Sequence, residues 1–209
     1  KKGDEPKQQY PELTASNGNQ VYFVDKPGAV QSVINITQAV KINPGHEDEI
    51  KLLVLNSILG GGSFSARLMS NLREDKAYTY GSRSSLSANS LVGNFNAGAS
   101  VRNAVTDSSV VEALKELKKI RTEKVTDEIL NNVKAGYVGK FVMQVEKPAT
   151  VARYALNIET EGLPVDFYEN YIKNINAVTP DDVLRVANKY FLADNARILV
   201  VGKGSEVIA

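Results

Sequence analysis

Short segments near the start of the chain alternate hydrophobic and polar residues. Residues 21–24 are mostly apolar and run into a Lys-Pro-Gly turn. In residues 32–40, Ile34, Ile36 and Val40 recur at a period of two, with polar side chains between them. This alternation predicts two β-strands, the second of which buries one face.

A helical spacing of apolar residues follows. Leucine and isoleucine residues between positions 52 and 59 form a broad stripe. The acidic residues 47–49 are predicted in the first turn of this helix, where the helix dipole favours negative charge. Glycines 60–62 are expected to end this helix. A short second helix is predicted over residues 65–73.

Two polar–apolar segments, residues 78–87 and 91–101, predict a strand pair joined by a turn. The remainder is mainly helical, apart from a closing strand over residues 196–201. Thr126 and Thr179 are placed as helix N-caps. Further helices are predicted around residues 110–120, 126–141, 150–161, 166–176 and from 179 onward.

Strands that cluster without regular β–α alternation indicate the α+β class. We expect an antiparallel or mixed sheet covered on one face by helices. Residues 1–16 are polar and predict a linker or lead-in, and residues 17–209 predict one domain. The chain starts with lysine, so the absence of a visible targeting segment says little.

Composition excludes several classes of protein. The net charge is +1, from 25 basic and 24 acidic residues, without the basic excess of a nucleic-acid-binding protein. The densest basic run pairs Glu112 with Lys115 and Glu116 with Lys119, which is typical of a solvated helix face. Neither a membrane span nor a cysteine is present, so disulfides and thiolate metal sites are excluded while the compartment stays open.

The common catalytic residue sets are also missing. His46 is the single histidine, so a zinc site with two histidine ligands cannot form within this chain. It opens a sequence with the spacing of an inverted zinc motif, but Ile50 stands where the second histidine should be. We interpret His46 as an exposed residue before a helix, with a functional role as the alternative.

The glycine run 60–62 has two interpretations. Free N–H groups at the start of a helix attract anions, which would suit a nucleotide-binding loop. The Walker pattern is absent, however, and these glycines follow a helix rather than a strand. A helix end with a flexible joint is therefore the favoured interpretation.

Residues 71–81 carry the most informative side chains. Arg73 is expected at the end of a helix and Tyr80 seven positions later in a strand. A guanidinium and a phenol near one junction could converge on a peptide carbonyl or a developing oxyanion. The alternative is a helix-end cation and a half-buried strand residue without a function.

These segments resemble a known signature. Residues 56–68, Asn-Ser-Ile-Leu-Gly-Gly-Gly-Ser-Phe-Ser-Ala-Arg-Leu, and 72–80, Leu-Arg-Glu-Asp-Lys-Ala-Tyr-Thr-Tyr, resemble the pitrilysin/insulinase family of zinc metallopeptidases. The resemblance extends over about residues 17–203. It implies the mitochondrial processing peptidase-like metallohydrolase fold, in which a zinc-bearing domain with the motif H-x-x-E-H faces a degenerate domain.

The resemblance implies that this chain is the degenerate domain. The zinc motif would fall near residues 53–57, where Leu53, Asn56 and Ser57 supply neither histidine ligands nor a glutamate base. We expect no metal in this chain, and zinc in a homologous partner domain or subunit. Whether that partner is fused or separate stays open.

The family's degenerate domain is thought to hold the substrate backbone with an arginine and a tyrosine, which match Arg73 and Tyr80. Tyr78 is the competing tyrosine, expected on the same strand face. Phe64 and Ser65, in the glycine-rich segment, are possible substrate contacts.

The resemblance therefore predicts the non-catalytic half of a zinc endopeptidase, which binds peptide and is inactive alone. The alternative is an inert scaffold or binding subunit of the same family. A bacterial periplasmic or cell-envelope location is favoured over a cytoplasmic one.

Overall fold

The computed structural model describes residues 18–62, 65–191 and 194–208. The predicted lead-in, residues 1–16, lies outside these ranges. The strands are β1 (Gln20–Asp25), β2 (Gln31–Val40), β3 (Thr79–Ser87), β4 (Gly93–Arg102) and β5 (Arg197–Gly202). The α-helices are α1 (Glu49–Asn56), α2 (Arg67–Met69), α3 (Thr106–Lys119), α4 (Asp127–Val145), α5 (Pro148–Thr160), α6 (Tyr171–Ala177), α7 (Pro180–Tyr190) and α8 (Gly204–Val207).

The five strands form one mixed sheet in the order β1-β5-β2-β4-β3. Strands β2, β3 and β4 pair antiparallel with their neighbours, as does β5 with β2, whereas β1 and β5 run parallel. The closing strand thus lies between the first two. This arrangement confirms the predicted mixed sheet and leaves β1 and β3 as its edges.

One face of the sheet is covered by helices, as predicted. Apart from Gln38, the even-numbered residues of β2 and β5 are buried, among them Ile34, Ile36 and Ile198, which share one core with side chains of helices α1, α3 and α7. Burial of such side chains supplies the main driving force for folding. On the opposite face Val33 and Leu199 remain partly exposed. Among the described residues, no helix is both long and apolar enough to cross a bilayer.

The two predicted N-caps are confirmed. The Thr126 side chain accepts the Ile129 N–H at 3.3 Å and begins α4. Thr179 Oγ1 accepts the Asp182 N–H at 3.1 Å, and the Asp182 carboxylate accepts the Thr179 N–H at 3.0 Å. This reciprocal pair is a capping box, which satisfies backbone donors that a helix start would otherwise leave free.

Asp48 differs from its prediction, because it is not a residue of the first helical turn. Helix α1 begins one residue later, and the Asp48 side chain is fully buried. Its carboxylate accepts hydrogen bonds from Arg185 at 2.6 Å, Lys189 at 2.9 Å and Tyr190 at 3.0 Å. Burial alone would raise the pKa of Asp48, but these three donors outweigh it and hold the pKa well below its usual range. Asp48 therefore ties α7 to the start of α1.

One helix is shorter than predicted. The helix predicted over residues 166–176 begins only at Tyr171. Before it, Asn170 donates through its side chain to the Asp166 carboxylate at 2.6 Å, and Phe167 N–H bonds to Pro164 O. Such local bonds of Asp and Asn compete with helix formation, which explains the difference.

Candidate functional site

Two π-helical turns occur at and after the glycine run in the described residues. The first, Ser57–Gly61, extends α1 into this run, and Gly62 is its C-cap, so the glycines end the helix as expected. The second, Ser70–Asp75, follows the short helix α2 and carries Arg73. Turns of this kind hold one extra residue and occur mostly as single turns, frequently at functional sites.

Close packing explains Gly60 and Gly62, and the predicted helix end is confirmed, with Gly62 as the C-cap. A Cβ atom on Gly60 would lie 2.7 Å from Ser84 Oγ, and one on Gly62 would lie 2.6 Å from Ser57 O. Ser84 Oγ also donates to Asn56 Oδ1 at 2.8 Å, which fixes the first π-turn against β3. These contacts explain why glycines occur at positions 60 and 62 without a nucleotide-binding role.

Arg73 lies in the second π-helical turn, close to its end. Its side chain is 37% exposed, and its Nε lies 3.4 Å from Glu74 Oε1. The turn is anchored to α3, because Asn71 Nδ2 donates to Glu116 at 2.9 Å and lies 3.3 Å from Glu112. The predicted pairs of these glutamates with lysines are confirmed, but Glu116 is buried rather than solvated. Arg73 thus projects from a fixed backbone.

The chain reverses immediately after this turn. Ala77 has a φ of 51°, in the left-handed region that a residue with a Cβ seldom adopts. The Tyr78 N–H bonds to Leu72 O at 2.9 Å, and Arg102 Nη2 donates to Ala77 O at 3.3 Å. Arg73 and the start of β3 therefore belong to the two arms of one braced reversal.

Tyr80 follows this reversal on the edge strand β3 and is 91% exposed. The pairing of β3 with β4 is irregular here, since Thr79 opposes Val101 and Ser82 opposes Ala99, which leaves one extra residue between them. Such a β-bulge redirects a side chain. Thr79 Oγ1 donates to Ser100 O at 2.6 Å and accepts the Gly81 N–H at 3.1 Å, so it braces the bulge on both sides of Tyr80.

Tyr78 does not share the environment of Tyr80, and the prediction that they occupy one strand face is wrong. Tyr78 precedes β3 and packs, partly buried, against the hydrophobic core. The reversal and the bulge interrupt the period of two on which the prediction rested. Of the two tyrosines, Tyr80 is the more exposed.

The glycine-rich segment borders a groove of about 480 Å³ that runs along α4. Ser65 is exposed and lines this groove together with Arg67 and Gly136. Phe64, the other predicted contact, lies outside the described residues. The groove is open to a ligand, and Ser65 stays a predicted contact.

The position predicted for a zinc motif is taken up by packing. Asn56 is buried and bonded to Ser84, and Tyr137 donates its hydroxyl to Leu53 O at 3.1 Å. Within the described ranges, no three His, Cys, Asp or Glu side chains are grouped so that they could hold a metal ion. The residues here do not fit zinc. His46, half-buried rather than exposed, accepts the Asp48 N–H through Nδ1 at 3.0 Å and so braces the start of α1.

Comparison with known proteins agrees with this geometry. The family model described as the peptidase M16 inactive domain matches residues 1–137. Over 166 residues the chain is 29% identical to the uncharacterized zinc protease YmxG of Bacillus subtilis. This alignment covers 77% of this chain and 39% of that protein. The chain belongs to the M16 peptidase family, as its inactive domain.

Solved structures show the same fold. An M16 inactive-domain structure from Pseudomonas fluorescens superposes with a TM-score of 0.85 at 22% identity, over 95% of this chain and 47% of that one. The periplasmic protease PqqL of Escherichia coli gives 0.78 at 14% identity, over 96% of this chain and 22% of that one. The chain thus spans less than half the length of these relatives.

The sequence did not indicate the residues that brace the site. These are Thr79, Asn71 and Arg102, whose contacts join distant segments of the chain, so no local sequence pattern could predict them. A group of aromatic side chains around α4 and α5 was also missed. Its signal was present, because four of the nine tyrosines and two of the six phenylalanines lie between residues 137 and 171.

Proposed function

We propose that this domain is the non-catalytic half of a zinc endopeptidase. In this proposal Arg73 and Tyr80 bind the backbone of a peptide in a cavity shared with a homologous, zinc-bearing domain or subunit. That domain supplies the metal chemistry, and this chain is inactive alone. The periplasmic neighbour supports a periplasmic or cell-envelope location for the protein.

The exposure of Tyr80 is the observation that carries the proposal. An aromatic side chain that is 91% exposed gains little from burial, and yet Thr79 and the bulge fix its backbone. Preorganisation of this kind is what a binding residue needs, because the entropy of ordering is lost before the ligand arrives. Arg73 adds a cation on the other arm of the same reversal.

The chemistry of the two side chains suits a peptide carbonyl. A guanidinium and a phenol both donate hydrogen bonds, and they can stabilise the negative charge that develops on the carbonyl oxygen during hydrolysis. Loss of one well-placed donor costs roughly 3 kcal/mol of transition-state stabilisation at best. The match covers only 39% of the Bacillus protease, so that protein is long enough to contain a second domain, which supports the proposed partner domain.

Kinetics of the assembled peptidase test the proposal. Arg73→Ala and Tyr80→Phe should each lower kcat/KM for a peptide by roughly tenfold or more, with folding unchanged. A fall in kcat would assign the residue to the transition state, and a rise in KM alone would assign it to uniform substrate binding. Arg197→Ala and Tyr22→Phe are matched controls, because both residues are exposed on strands away from β3.

Unchanged kinetics in both Arg73 and Tyr80 variants would overturn the proposed roles. Normal folding, assembly and partner activity in those variants would then favour the inert scaffold or binding subunit. The two functions differ in this one result, so the same variants decide between them.

A further inference from the structure

A cavity of about 340 Å³ lies between α1, α4 and the segment that joins α5 to α6. Its walls include four aromatic rings in a stacked row. Tyr154 lies between Tyr168, with ring centroids 3.9 Å apart, and Phe141, at 5.9 Å, and Phe141 continues the row to Tyr171 at 4.7 Å. The volume is within the range of cavities that bind small ligands. The lining is richer in aromatic rings than a site for an aliphatic group requires.

A carboxylate lies in the same cavity. Glu49, the first residue of α1, lines it, and Glu49 Oε2 accepts the Gly45 N–H at 2.7 Å. Among the described residues, no lysine or arginine lies within ion-pairing distance of this carboxylate. Burial raises the pKa of Glu49 and the nearby charge of Glu161 adds to the effect, while the Gly45 N–H and His46 oppose it. A carboxylate is thus partly removed from water without a lysine or arginine paired to it in the described part of the chain, which is unfavourable.

The combination of aromatic rings and a carboxylate is selective by charge. Ring faces attract cations, and a carboxylate pairs with them. An apolar ligand would remove Glu49 further from water without compensating for it, and an anionic ligand would be repelled. Lys140 is the one lysine or arginine among the described residues that line the cavity; its side chain is exposed, and it also lines the groove beside the glycine-rich segment.

We propose that this aromatic cavity binds a basic side chain of the peptide substrate, with arginine preferred. The planar guanidinium can stack on the tyrosine and phenylalanine rings while it donates to Glu49, which a lysine ammonium does less well. The inference rests on the proposed function for the source of the ligand. The cavity itself can be tested in this chain alone.

The test compares two ligands of the same shape. N-acetyl-arginine amide and N-acetyl-citrulline amide are titrated into the 209-residue chain, and the aromatic ring signals are followed by NMR. Saturable shifts of Tyr154, Tyr168 and Tyr171 are expected, with citrulline bound roughly tenfold or more weakly, because it lacks the charge. Equal binding of the two ligands, or the absence of shifts at these rings, would overturn the inference.

A pair of variants assigns the selectivity to one carboxylate. Glu49→Gln should remove the preference for arginine over citrulline, whereas Glu47→Gln, an exposed carboxylate in the same segment, should leave it unchanged. A preference that survives in folded Glu49→Gln contradicts the assignment. If Glu49→Gln does not fold, Tyr154→Leu serves instead and should weaken arginine more than citrulline.

The result is independent of the peptidase kinetics. If the natural chain shows no preference for arginine over citrulline, while the Arg73 and Tyr80 variants reduce turnover, the cavity inference is overturned and the proposed function stands. If the natural chain prefers arginine while the Arg73 and Tyr80 variants have normal turnover, the cavity inference is supported and the proposed roles of Arg73 and Tyr80 are overturned.

Discussion

Two polar regions of this domain use the same kinds of side chain in opposite ways. Around Asp48, an arginine, a lysine and a tyrosine converge on one fully buried carboxylate. At the reversal before β3, an arginine and a tyrosine also occur close together in the chain, but the tyrosine is almost fully exposed. In the first region the polar groups bind each other. In the second, Arg73 pairs with the exposed Glu74, and the hydrogen bonds of Thr79 and Arg102 brace the backbone around Tyr80.

The difference shows how structural and functional polar residues can be separated. A buried ion pair whose partners satisfy one another is strongly destabilising to break, since a single partner is left in a poor environment. An exposed side chain such as Tyr80, on a backbone that its neighbours brace, contributes little to stability itself. Substitutions should therefore reduce stability in the first region and turnover in the second.

The largest expected effect is on stability, at Asp48. Asp48→Ala should lower the free energy of unfolding by roughly 2–4 kcal/mol, because Tyr190 is left buried without its acceptor and the ion pairs of Arg185 and Lys189 with Asp48 are lost. Denaturant unfolding of the isolated chain measures it. Asp194→Ala is the control, since its pair with Lys118 is exposed and should contribute less than about 1 kcal/mol. Equal losses in the two variants would contradict the contrast.

The same carboxylate predicts an acid transition. The pKa of Asp48 is lower in the folded chain than in the unfolded one, so its contribution is present above about pH 4 and is lost as the pH falls through the acid range. Stability of the natural chain should decrease steeply below about pH 4. Asp48→Asn should show a shallower decrease, and parallel curves for the two proteins would rule out this origin.

Close packing at the glycine-rich segment comes next. Gly60→Ala should cost roughly 1–3 kcal/mol, because the new Cβ would overlap Ser84 and Leu68. Gly136→Ala is the matched control, since nothing lies within 4 Å of a Cβ there and alanine favours the helix by up to about 1 kcal/mol. Thermal unfolding should shift in opposite directions for the two variants. A neutral Gly60→Ala would contradict the close-packing explanation.

The smallest effect is expected at Thr79, a positioning residue. Thr79→Val removes the hydroxyl that braces the bulge and should lower kcat of the assembled peptidase roughly threefold, which corresponds to the net contribution of one hydrogen bond. Thr79→Ser keeps the hydroxyl and should restore kcat. An equal loss in both variants would indicate a packing role without any effect on Tyr80.

Local patterns were sufficient for much of the fold. The alternation in β2, the capping signals at Thr126 and Thr179, and the strand pair β3–β4 predicted elements that the structure contains. The placement of β5 between β1 and β2 could not be predicted, because strand order depends on contacts between distant segments. The role of Asp48 was missed for the same reason, since its partners on α7 lie more than 130 positions away.

The candidate site was predictable in its residues and not in its geometry. Arg73 and Tyr80 were selected by a family signature, and their locations in a helical turn and a strand followed from local pattern. The left-handed Ala77 and the bulge at Tyr80 were not visible, because alanine and tyrosine carry no signal for such conformations. Those two irregularities are what separate Tyr80 from Tyr78.

Photo-crosslinking tests the central claim most directly. Benzoylphenylalanine is placed at position 80 or, as a control, at position 22, where the natural tyrosine is also exposed but lies on the opposite edge strand. The assembled peptidase, stripped of zinc so that the peptide stays intact, is then irradiated with a labelled peptide substrate. The account predicts a crosslink to the peptide from position 80 that requires the zinc-bearing half and is absent from position 22. Labelling from position 22 alone, or none from position 80 with peptide bound, would contradict it.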